Sequence, residues 1–308
     1  MTYTTRIKEE ISKTILNENE RVCELSGFIR FAADIKDNII ITLENASVTR
    51  HIYRSIKEIF GIQPKITIRN QRRFRVKQIY ILEINEKVDF ILKYLNIMED
   101  KKKILPSEYF LTNREEKIAY LEGVFLATGT VNDPATSGYH FEMVTDRSRE
   151  AVFLTRLFHE LAISAKHLKR NSKYMVYIKN AEVISDIIRM FGATNAYFYF
   201  EDIRIYRDHK NMVNRLNNCE IANQEKTIAT GLKQLEEIEY LKANDLYSLL
   251  EESTKIVLEY REKYPEVSLK ELADIISMET DYTIGKSGVN HHFIKIRNLI
   301  KKHKEKNQ

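Results

Sequence analysis

The residues best suited to chemistry with a ligand lie near the C-terminal end of the chain. Between Gly285 and Gln308 the sequence contains seven lysines or arginines and one glutamate. Apolar residues recur there at helical spacing, which predicts a helix over 288–301 whose buried stripe is Val289, Phe293, Ile296 and Ile300. Six side chains outside that stripe are cationic or carry hydrogen-bonding groups, which suits contacts with phosphates and base edges. The predicted DNA-binding residues of this helix are Lys286, Ser287, Asn290, His291, Lys295 and Arg297.

A second predicted helix precedes the basic one. Ser268 and Glu271 form a capping box, in which the serine side chain meets the Glu271 amide and the glutamate reaches back. The order of helix, turn and basic helix is the one that places a recognition helix in the major groove of DNA. The turn, over 278–286, is longer than the usual length of about three or four residues. A three-helix bundle without a DNA-binding role is the alternative interpretation.

Two predicted β-hairpins are strongly basic. The first spans 62–80 and the second 164–179, and neither contains an acidic residue. Basic hairpins can follow the phosphates of a duplex without reading its bases. Lysines that protect the edge strands of a solvated sheet are the alternative explanation. Because both hairpins are basic, we predict DNA contacts at Arg72, Arg73, Arg75, Lys169 and Arg170.

An asparagine-rich segment over 214–223 lies between a predicted helix over 195–217 and another over 224–241. Amide and guanidinium groups hydrogen-bond to phosphates or bases, although asparagine also caps helices and fills turns. The predicted DNA contacts in this segment are Asn214, Arg215, Asn218 and Asn223.

The other candidate groups predict neither catalysis nor a metal site. The histidines and acidic residues show no metal-ligand spacing and no catalytic triad, so we predict no catalytic residue, no metal and no cofactor. Cys23 and Cys219 have no paired spacing and are expected to be reduced thiols of an intracellular protein. The net charge of +5 permits a nucleic-acid partner without requiring one. No apolar run approaches about 18 residues, and the first residues lack a signal peptide's apolar core, so we expect a cytoplasmic protein without membrane contact.

Two apolar helices, roughly a hundred residues apart, have similar sequences. The segments from Glu24 to Ala33 and from Tyr120 to Gly129 place Leu, Gly, a bulky apolar pair and small residues at the same offsets. Glycine inside a helix costs roughly 1 kcal/mol relative to alanine, so Gly123 indicates a close approach of another backbone. We predict two repeats over 1–98 and 114–212, a linker over 99–113, and a helical domain over 213–308 with a helix-turn-helix at about 268–301.

The order of elements also repeats: helix, strand, helix, two strands, helix. The predicted helices cover 5–16, 20–33, 47–60, 88–97, 115–128, 147–161 and 181–190, and the predicted strands 38–43, 65–69, 74–84, 139–144, 165–168 and 174–179.

The paired apolar helices resemble degenerate copies of the LAGLIDADG helix of homing endonucleases. The resemblance implies an α+β fold, in which a duplicated LAGLIDADG-like αββαββα domain, with its two helices packed face to face, precedes an all-α helix-turn-helix domain. In that family an acidic residue at the end of each helix helps to hold the catalytic metal ions. The matching positions are Ala32 and Thr128, and neither can supply a carboxylate to a hard cation such as Mg²⁺. The resemblance therefore implies a catalytically inactive domain and no enzyme.

The combination of these features resembles the WhiA family, sporulation and cell-division regulators of Gram-positive bacteria. Its most specific pieces are 214–223 and 286–291, and it covers essentially the whole chain. It implies a sequence-specific, nucleoid-associated transcription regulator of cell division and chromosome segregation. The implied partners are double-stranded DNA and other transcription or division proteins. Two alternatives stay open: an active LAGLIDADG endonuclease that uses Asp34 or Asp133, and a protein-interaction scaffold for division proteins.

Overall fold

The computed structural model describes residues 2–70, 78–100, 102–136 and 138–306. The chain forms two compact units, which we call unit 1 (Met1–Arg207) and unit 2 (Asp208–Gln308). Unit 1 contains two α+β repeats, and unit 2 is helical.

The first repeat follows a short N-terminal helix. This helix is α1 (Tyr3–Ile11). The elements of the repeat are α2 (Glu18–Ala32), β1 (Ala33–Ile35), β2 (Ile39–Leu43), α3 (Ala46–Phe60), β3 (Lys65–Asn70), β4 (Gln78–Ile84) and α4 (Val88–Tyr94). In the described residues the strands form an antiparallel sheet in the order β1-β2-β4-β3. The side chain of Asn45 caps α3, and Gly61 ends that helix in the left-handed conformation, with a φ of 69°.

The second repeat has the same order of elements and the same sheet topology. A small hairpin, β5 (Met98–Glu99) and β6 (Lys102–Lys103), precedes α5 (Arg114–Thr128), β7 (Gly129–Val131), β8 (Phe141–Thr145), α6 (Ser148–Glu160), β9 (Lys166–Arg170), β10 (Lys173–Ile178) and α7 (Ala181–Met190). The sheet order is β7-β8-β10-β9, and each neighbouring pair is antiparallel. Asn113 and Glu116 form a capping box that starts α5.

Helices α2 and α5 pack against each other at their glycines. A Cβ atom on Gly123 would lie 1.9 Å from the backbone oxygen of Glu24, and one on Gly27 would lie 2.3 Å from the backbone oxygen of Tyr120. The two contacts join equivalent positions of the two repeats, as a pseudo-two-fold axis requires. The prediction that Gly123 marks a close backbone approach is therefore confirmed. The helix pair contributes to the core of unit 1 through Leu25, Phe28, Ile29, Leu121, Val124 and Phe125.

Unit 2 is built on the C-terminal part of a long helix, α8 (Thr194–Ala243), whose first residues belong to unit 1. A 3-10 turn (Tyr247–Leu249) follows, and then α9 (Glu252–Lys263), α10 (Leu269–Glu279) and α11 (Lys286–Lys306). In α8, Gly231 allows the Pro265 carbonyl to approach, because a Cβ atom there would lie 2.0 Å from that oxygen. The core of unit 2 includes Ile238, Leu241, Val257, Leu258, Leu272, Ile276, Val289, Phe293 and Ile296.

The structure corrects several predicted boundaries. The helices predicted over 195–217 and 224–241 are one helix, because the segment between them contains neither proline nor glycine and its asparagines are tolerated on an exposed surface. Helix α1 ends at Ile11 instead of 16, and Ile15, beyond its end, is exposed. Strands β1 and β7 were not predicted, and α4 ends three residues earlier than predicted. None of the helices in the described residues is long and apolar enough to cross a membrane.

Candidate nucleic-acid interface

The basic helix α11 is held in unit 2 by the predicted apolar stripe. Val289, Phe293, Ile296 and Ile300 are all buried, and α11 packs on α9 and α10. The capping box at the start of α10 is also present: the Ser268 hydroxyl accepts from the Glu271 amide, and a Glu271 carboxylate oxygen accepts from the Ser268 amide. The helix-turn-helix elements predicted from the sequence are therefore confirmed as structure.

The predicted DNA-contacting residues of α11 differ in their exposure. Ser287 and His291, one helical turn apart, are exposed on the side away from the buried stripe, and Lys286 is also exposed. Asn290 is half-buried at the flank of this surface. These residues lie in the first turns of the helix, the part of a recognition helix that reaches base edges.

The remaining two predicted residues of α11 face carboxylates of neighbouring helices. Lys295 Nζ lies 3.6 Å from Glu251 Oε2, and Arg297 Nε lies 3.9 Å from Glu237 Oε1. Arg297 Nε also donates to the Phe293 carbonyl oxygen at 3.2 Å. Both side chains are about half exposed, so these ion pairs stabilise unit 2 little and leave the cations accessible.

A buried histidine that the sequence analysis did not single out orders the turn before α11. His292 Nδ1 lies 2.9 Å from Thr254 Oγ1 of α9, and its Nε2 lies 3.1 Å from the Tyr282 hydroxyl in the turn. Burial, together with the positive charge of Lys295, lowers the pKa of His292, which favours the neutral ring. His292 lies three residues after Val289 and four before Ile296, and this helical spacing is the signal that could have assigned it to the inner side.

The long turn between α10 and α11 is ordered by side-chain hydrogen bonds. The Ser277 hydroxyl donates to the Ile284 carbonyl oxygen at 3.2 Å and accepts from the Ile284 amide at 3.1 Å. The Thr280 hydroxyl accepts from the Tyr282 amide at 3.1 Å. The turn covers 280–285, shorter than the predicted 278–286 but still longer than three or four residues, because α10 continues to Glu279 and α11 begins at Lys286 instead of 288. The side-chain bonds hold the turn between the two helices.

The asparagine-rich segment does not present one surface. Asn214 and Asn218 are one turn apart in α8 and share a side of the helix with Arg215 near its edge. Asn223 follows Asn214 by two and a half turns and therefore lies on the opposite side. All of these side chains are exposed, but a single straight duplex could not contact all of them at once.

The second basic hairpin places its two predicted residues on opposite faces of the sheet. In the register of β9 and β10, Arg170 pairs with Lys173 and Lys169 with Tyr174. The Lys169 face is the one covered by α6, since the neighbouring His167 on that face contacts Thr155 of α6 at 3.0 Å. Lys169 Nζ lies over the Tyr174 ring, 5.9 Å from its centroid. Of the two residues, only Arg170 therefore lies on the face of the sheet that α6 does not cover.

The first basic hairpin is described only in part. Arg72, Arg73 and Arg75 lie outside the described residues. In β3, Lys65 and Arg69 lie on the face away from the buried Leu82 side of the sheet. Lys65 Nζ lies 3.7 Å from Glu83 Oε2 of the neighbouring strand, so this face carries both signs of charge.

The positions that match the catalytic acids lie at the C-terminal ends of α2 and α5. Ala32 and Thr128 are half-buried there, and the Thr128 hydroxyl donates to the Val124 carbonyl oxygen at 3.4 Å. Asp34 pairs with Lys36 at 3.4 Å, and Asp133 accepts from the Tyr199 hydroxyl at 3.2 Å. Among the described residues, His, Cys, Asp and Glu side chains form no group of three or more that could hold a metal ion.

Three acids within the helix pair are buried: Glu24, Glu116 and Glu122. Glu24 Oε2 lies 2.7 Å from Nε2 of the buried His51. Glu122 is 3% exposed, and its Oε2 atom has no hydrogen-bond partner in the described residues. Burial, with the charges of Glu24 and Glu20, raises the pKa of Glu122 well above its ordinary value. Glu122 is therefore suited to packing as a neutral acid, and poorly suited to holding a cation.

Family models match each part of the chain. The model described as WhiA N-terminal LAGLIDADG-like domain covers residues 18–98, and the one described as WhiA LAGLIDADG-like domain covers 117–210. The model described as WhiA C-terminal HTH domain covers residues 213–300.

Relatives match over nearly their whole length. A protein of Lactobacillus acidophilus is 35% identical, covering 98% of this chain and 99% of its own. One of Staphylococcus aureus is 35% identical, covering 98% of this chain and 97% of its own. Both are named probable cell division protein WhiA.

Solved structures show the same fold. Full-length WhiA from Thermotoga maritima is 20% identical, with a TM-score of 0.57 over 98% of this chain and 99% of its own. The N-terminal LAGLIDADG domain of WhiA is 18% identical, with a TM-score of 0.50 over 62% of this chain and 90% of its own. The predicted fold, a duplicated LAGLIDADG-like α+β domain followed by a helix-turn-helix domain, is confirmed. The chain belongs to the WhiA family.

Proposed function

We propose that this protein is a sequence-specific DNA-binding transcription regulator that acts in cell division and chromosome segregation, within a family of sporulation regulators. The observation that carries the proposal is the first part of α11, where Ser287 and His291 are exposed opposite a buried stripe and Asn290 lies at their flank. Because its apolar stripe is buried in unit 2, the helix exposes hydrogen-bonding side chains about one turn apart, as a recognition helix in the major groove does. The role in cell division is supported by the names of the relatives.

The partner in this proposal is double-stranded DNA, and the protein is associated with the nucleoid. Lys286, Lys295 and Arg297 supply positive charge along α11 for phosphate contacts. The exposed residues Asn214, Arg215 and Asn218 of α8 are further candidates for contacts with DNA, and Asn223 would have to contact a different surface.

We further propose that the LAGLIDADG-like domain does not cut DNA. Hydrolysis with two metal ions needs carboxylates to hold the ions beside the scissile phosphate. By resemblance, Ala32 and Thr128 match the positions of those carboxylates, and neither can supply one. Asp34 and Asp133 lie past the ends of α2 and α5, where Asp34 is 3.4 Å from Lys36 and Asp133 accepts from the Tyr199 hydroxyl.

A protein partner at the second sheet is a second candidate role for this domain. The face that carries Arg170 also carries the exposed Leu168 and, on the neighbouring strands, Glu142 and Tyr177. Such a mixture of apolar, aromatic and acidic groups beside basic ones suits a transcription or division protein as well as a phosphate backbone.

The proposal is tested by measuring the affinity of the full-length protein for duplex DNA at several salt concentrations, and by mapping bound sites in cells after crosslinking. We expect an affinity that falls linearly on a log–log plot against salt, together with a limited set of enriched genomic sites. Incubation of a bound plasmid with Mg²⁺ or Mn²⁺ is expected to leave it intact. Metal-dependent nicking that is abolished by Asp34→Asn or Asp133→Asn would contradict the proposal that the domain does not cut DNA. A DNA affinity that does not depend on salt would contradict the proposal that the protein is a DNA-binding regulator.

A further inference from the structure

Unit 2 contains a cavity of about 220 Å³ beside the start of α10 that has the properties of an anion site. Its walls come from four helices, α8, α9, α10 and α11, and from the loop before α10. Every charged side chain among the described residues that line it is basic, and the lining consists of Lys226, Thr227, Thr230, Arg261, Val267, Ser268, Leu269, Lys270 and Lys286. Several other lysines of unit 2 lie close to carboxylates, among them Lys242 with Glu262 and Lys263 with Glu279. The charged side chains that line the cavity are therefore all positive, whereas several positive side chains elsewhere on the unit lie beside carboxylates that balance them.

The buried Arg261 is an independent sign of an anion. Its side chain is 1% exposed, and its Nη1 donates to the carbonyl oxygens of Tyr264, Pro265 and Val267 at 3.2, 3.3 and 2.8 Å. Its Nε atom is buried and has no hydrogen-bond partner in the described residues. The contacts of this guanidinium are thus with neutral oxygens, whereas a buried charge is ordinarily stabilised by an opposite charge.

The first turn of α10 adds backbone donors to the same wall. The amides at the start of a helix have no carbonyl acceptor within it, and the helix dipole favours an anion there. The Glu271 carboxylate accepts from the Ser268 amide. Leu269 and Lys270, the first two residues of α10, line the cavity, and their amides have no acceptor within the helix. Thr227 and Thr230 donate to carbonyl oxygens of their own helix, which leaves the lysines as the main mobile donors.

We propose that this cavity binds one phosphate group, held by Lys226, Lys270 and Lys286 and by the first turn of α10, beside the buried Arg261. Ammonium groups from separate helices can close on a tetrahedral oxyanion, and charge-assisted hydrogen bonds are the strong ones. The phosphate belongs either to the DNA backbone, in which case the site deepens the proposed function and fixes the start of α11 on the duplex, or to a free phosphorylated molecule. The two sources share the same chemistry at the cavity.

The test uses full-length protein and inorganic phosphate as the probe, without DNA. The test variant is Lys226→Gln with Lys270→Gln. The matched control is Lys242→Gln with Lys263→Gln, which removes the same charge from the same unit at lysines that already face glutamates. We expect the ³¹P resonance of phosphate to broaden with the unaltered protein and with the control, and the broadening to be lost with the test variant. Equal broadening with all three proteins, or none with any, would overturn the site.

A second measurement identifies the source of the phosphate. If the backbone of DNA occupies the cavity, random duplex DNA abolishes the broadening, and the slope of log affinity against log salt falls in the test variant by about 0.9 per lost phosphate contact. If the site takes a free phosphorylated molecule, the broadening persists in the DNA complex and the slope is unchanged. Because the first measurement contains no DNA, failure of the phosphate site and failure of DNA binding are distinguishable.

Discussion

At the scale of single residues, Glu122 is the buried acid with the clearest consequence for stability. Its pKa is raised well above 4.5 in the folded state, first by burial and then by the charges of Glu24 and Glu20. The folded protein therefore keeps a proton that the unfolded chain releases as the pH rises above about 4.5. The stability that protonated Glu122 contributes is present below that pH and is lost as the pH rises through the folded-state pKa.

Glu122→Gln is predicted to reduce this dependence on pH, because a neutral amide replaces the acid. The difference in melting temperature, variant minus unaltered protein, is expected to be smallest near pH 4.5 and to grow toward neutral and alkaline pH. Thermal unfolding followed by circular dichroism across that range measures it. The exposed Glu115 of the same helix supplies the control, Glu115→Gln. A difference that stays constant across the pH range would show that Glu122 does not titrate in this way.

Phe293 and Ile294 are neighbours on α11 with opposite surroundings. Phe293 is fully buried in the core of unit 2, and Ile294 is 42% exposed. We predict that Phe293→Ala lowers the free energy of unfolding of unit 2 by about 3–5 kcal/mol, and that Ile294→Ala changes it by only about 0.5 kcal/mol. Denaturant unfolding of both variants measures the two effects. Similar losses for both would mean that the inner face of α11 is wrongly assigned.

Sequence patterns found the residues that decide helix ends and close contacts. Ser268 and Glu271 form the capping box predicted from the sequence, and Gly123 lies at the backbone contact that its cost within a helix indicated. His292 escaped prediction because its partners, Thr254 and Tyr282, come from other elements. The periodicity of a sequence assigns a side chain to one face of a helix, but it does not identify the residues of other elements that contact that face.

At the scale of elements, the crossing of α2 and α5 is predicted to be intolerant of a side chain at Gly123. A methyl group there would lie 1.9 Å from the Glu24 oxygen and 2.8 Å from the Phe28 amide nitrogen, both backbone atoms that cannot move without shifting the helix. We expect Gly123→Ala to lower the free energy of unfolding of unit 1 by about 1–3 kcal/mol or more.

Gly138→Ala is the matched control, since a Cβ atom there would have nothing within 4 Å. Thermal unfolding of the two variants side by side measures the contrast. Equal stability of the two variants would mean that the helices are farther apart than described.

Strand β9 offers a second test at this scale, because neighbouring residues point to opposite faces of a sheet. If the sheet surface opposite α6 contacts DNA, Arg170→Gln is expected to lower the salt slope of duplex binding by about 0.9, while Lys169→Gln leaves it unchanged. The two variants remove the same charge from adjacent positions, so each controls for the other. Equal effects of both, or no effect of either, would remove this sheet from the DNA interface.

Elements were predicted well where periodicity or capping signals were long enough, as in α3 and α7. Strands β1 and β7 contain only three residues each, too few to show an alternating pattern. The continuity of α8 was missed because asparagine suggests a turn, while an exposed helix without proline tolerates it. Lys169 and Arg170 lie on opposite faces of the sheet, and which face each one takes depends on how β9 pairs with β10. The basic composition of the hairpin does not reveal that pairing.

At the scale of the whole molecule, the duplicated α+β fold was predictable because its apolar helix and its order of elements occur twice in the sequence. The helix-turn-helix was predictable because a capping box is followed by a turn and a basic amphipathic helix. The phosphate site was not, since Lys226, Lys270 and Lys286 are distant in the sequence and meet only after unit 2 folds. We propose that unit 2 reads DNA sequence through the first turns of α11, while charged side chains elsewhere contact the DNA backbone.

Selection of bound duplexes from a random pool tests this claim most directly, using the full-length protein and the variant Asn290→Ala with His291→Ala. We predict that the unaltered protein enriches one motif, and that the variant enriches none while it keeps a salt-dependent affinity for random DNA. Asn298→Ala, an exposed substitution about two turns farther along α11, is expected to enrich the same motif as the unaltered protein. Enrichment of an unchanged motif by the Asn290→Ala, His291→Ala variant, or of no motif by the unaltered protein, would contradict the assignment of α11 as the reading helix.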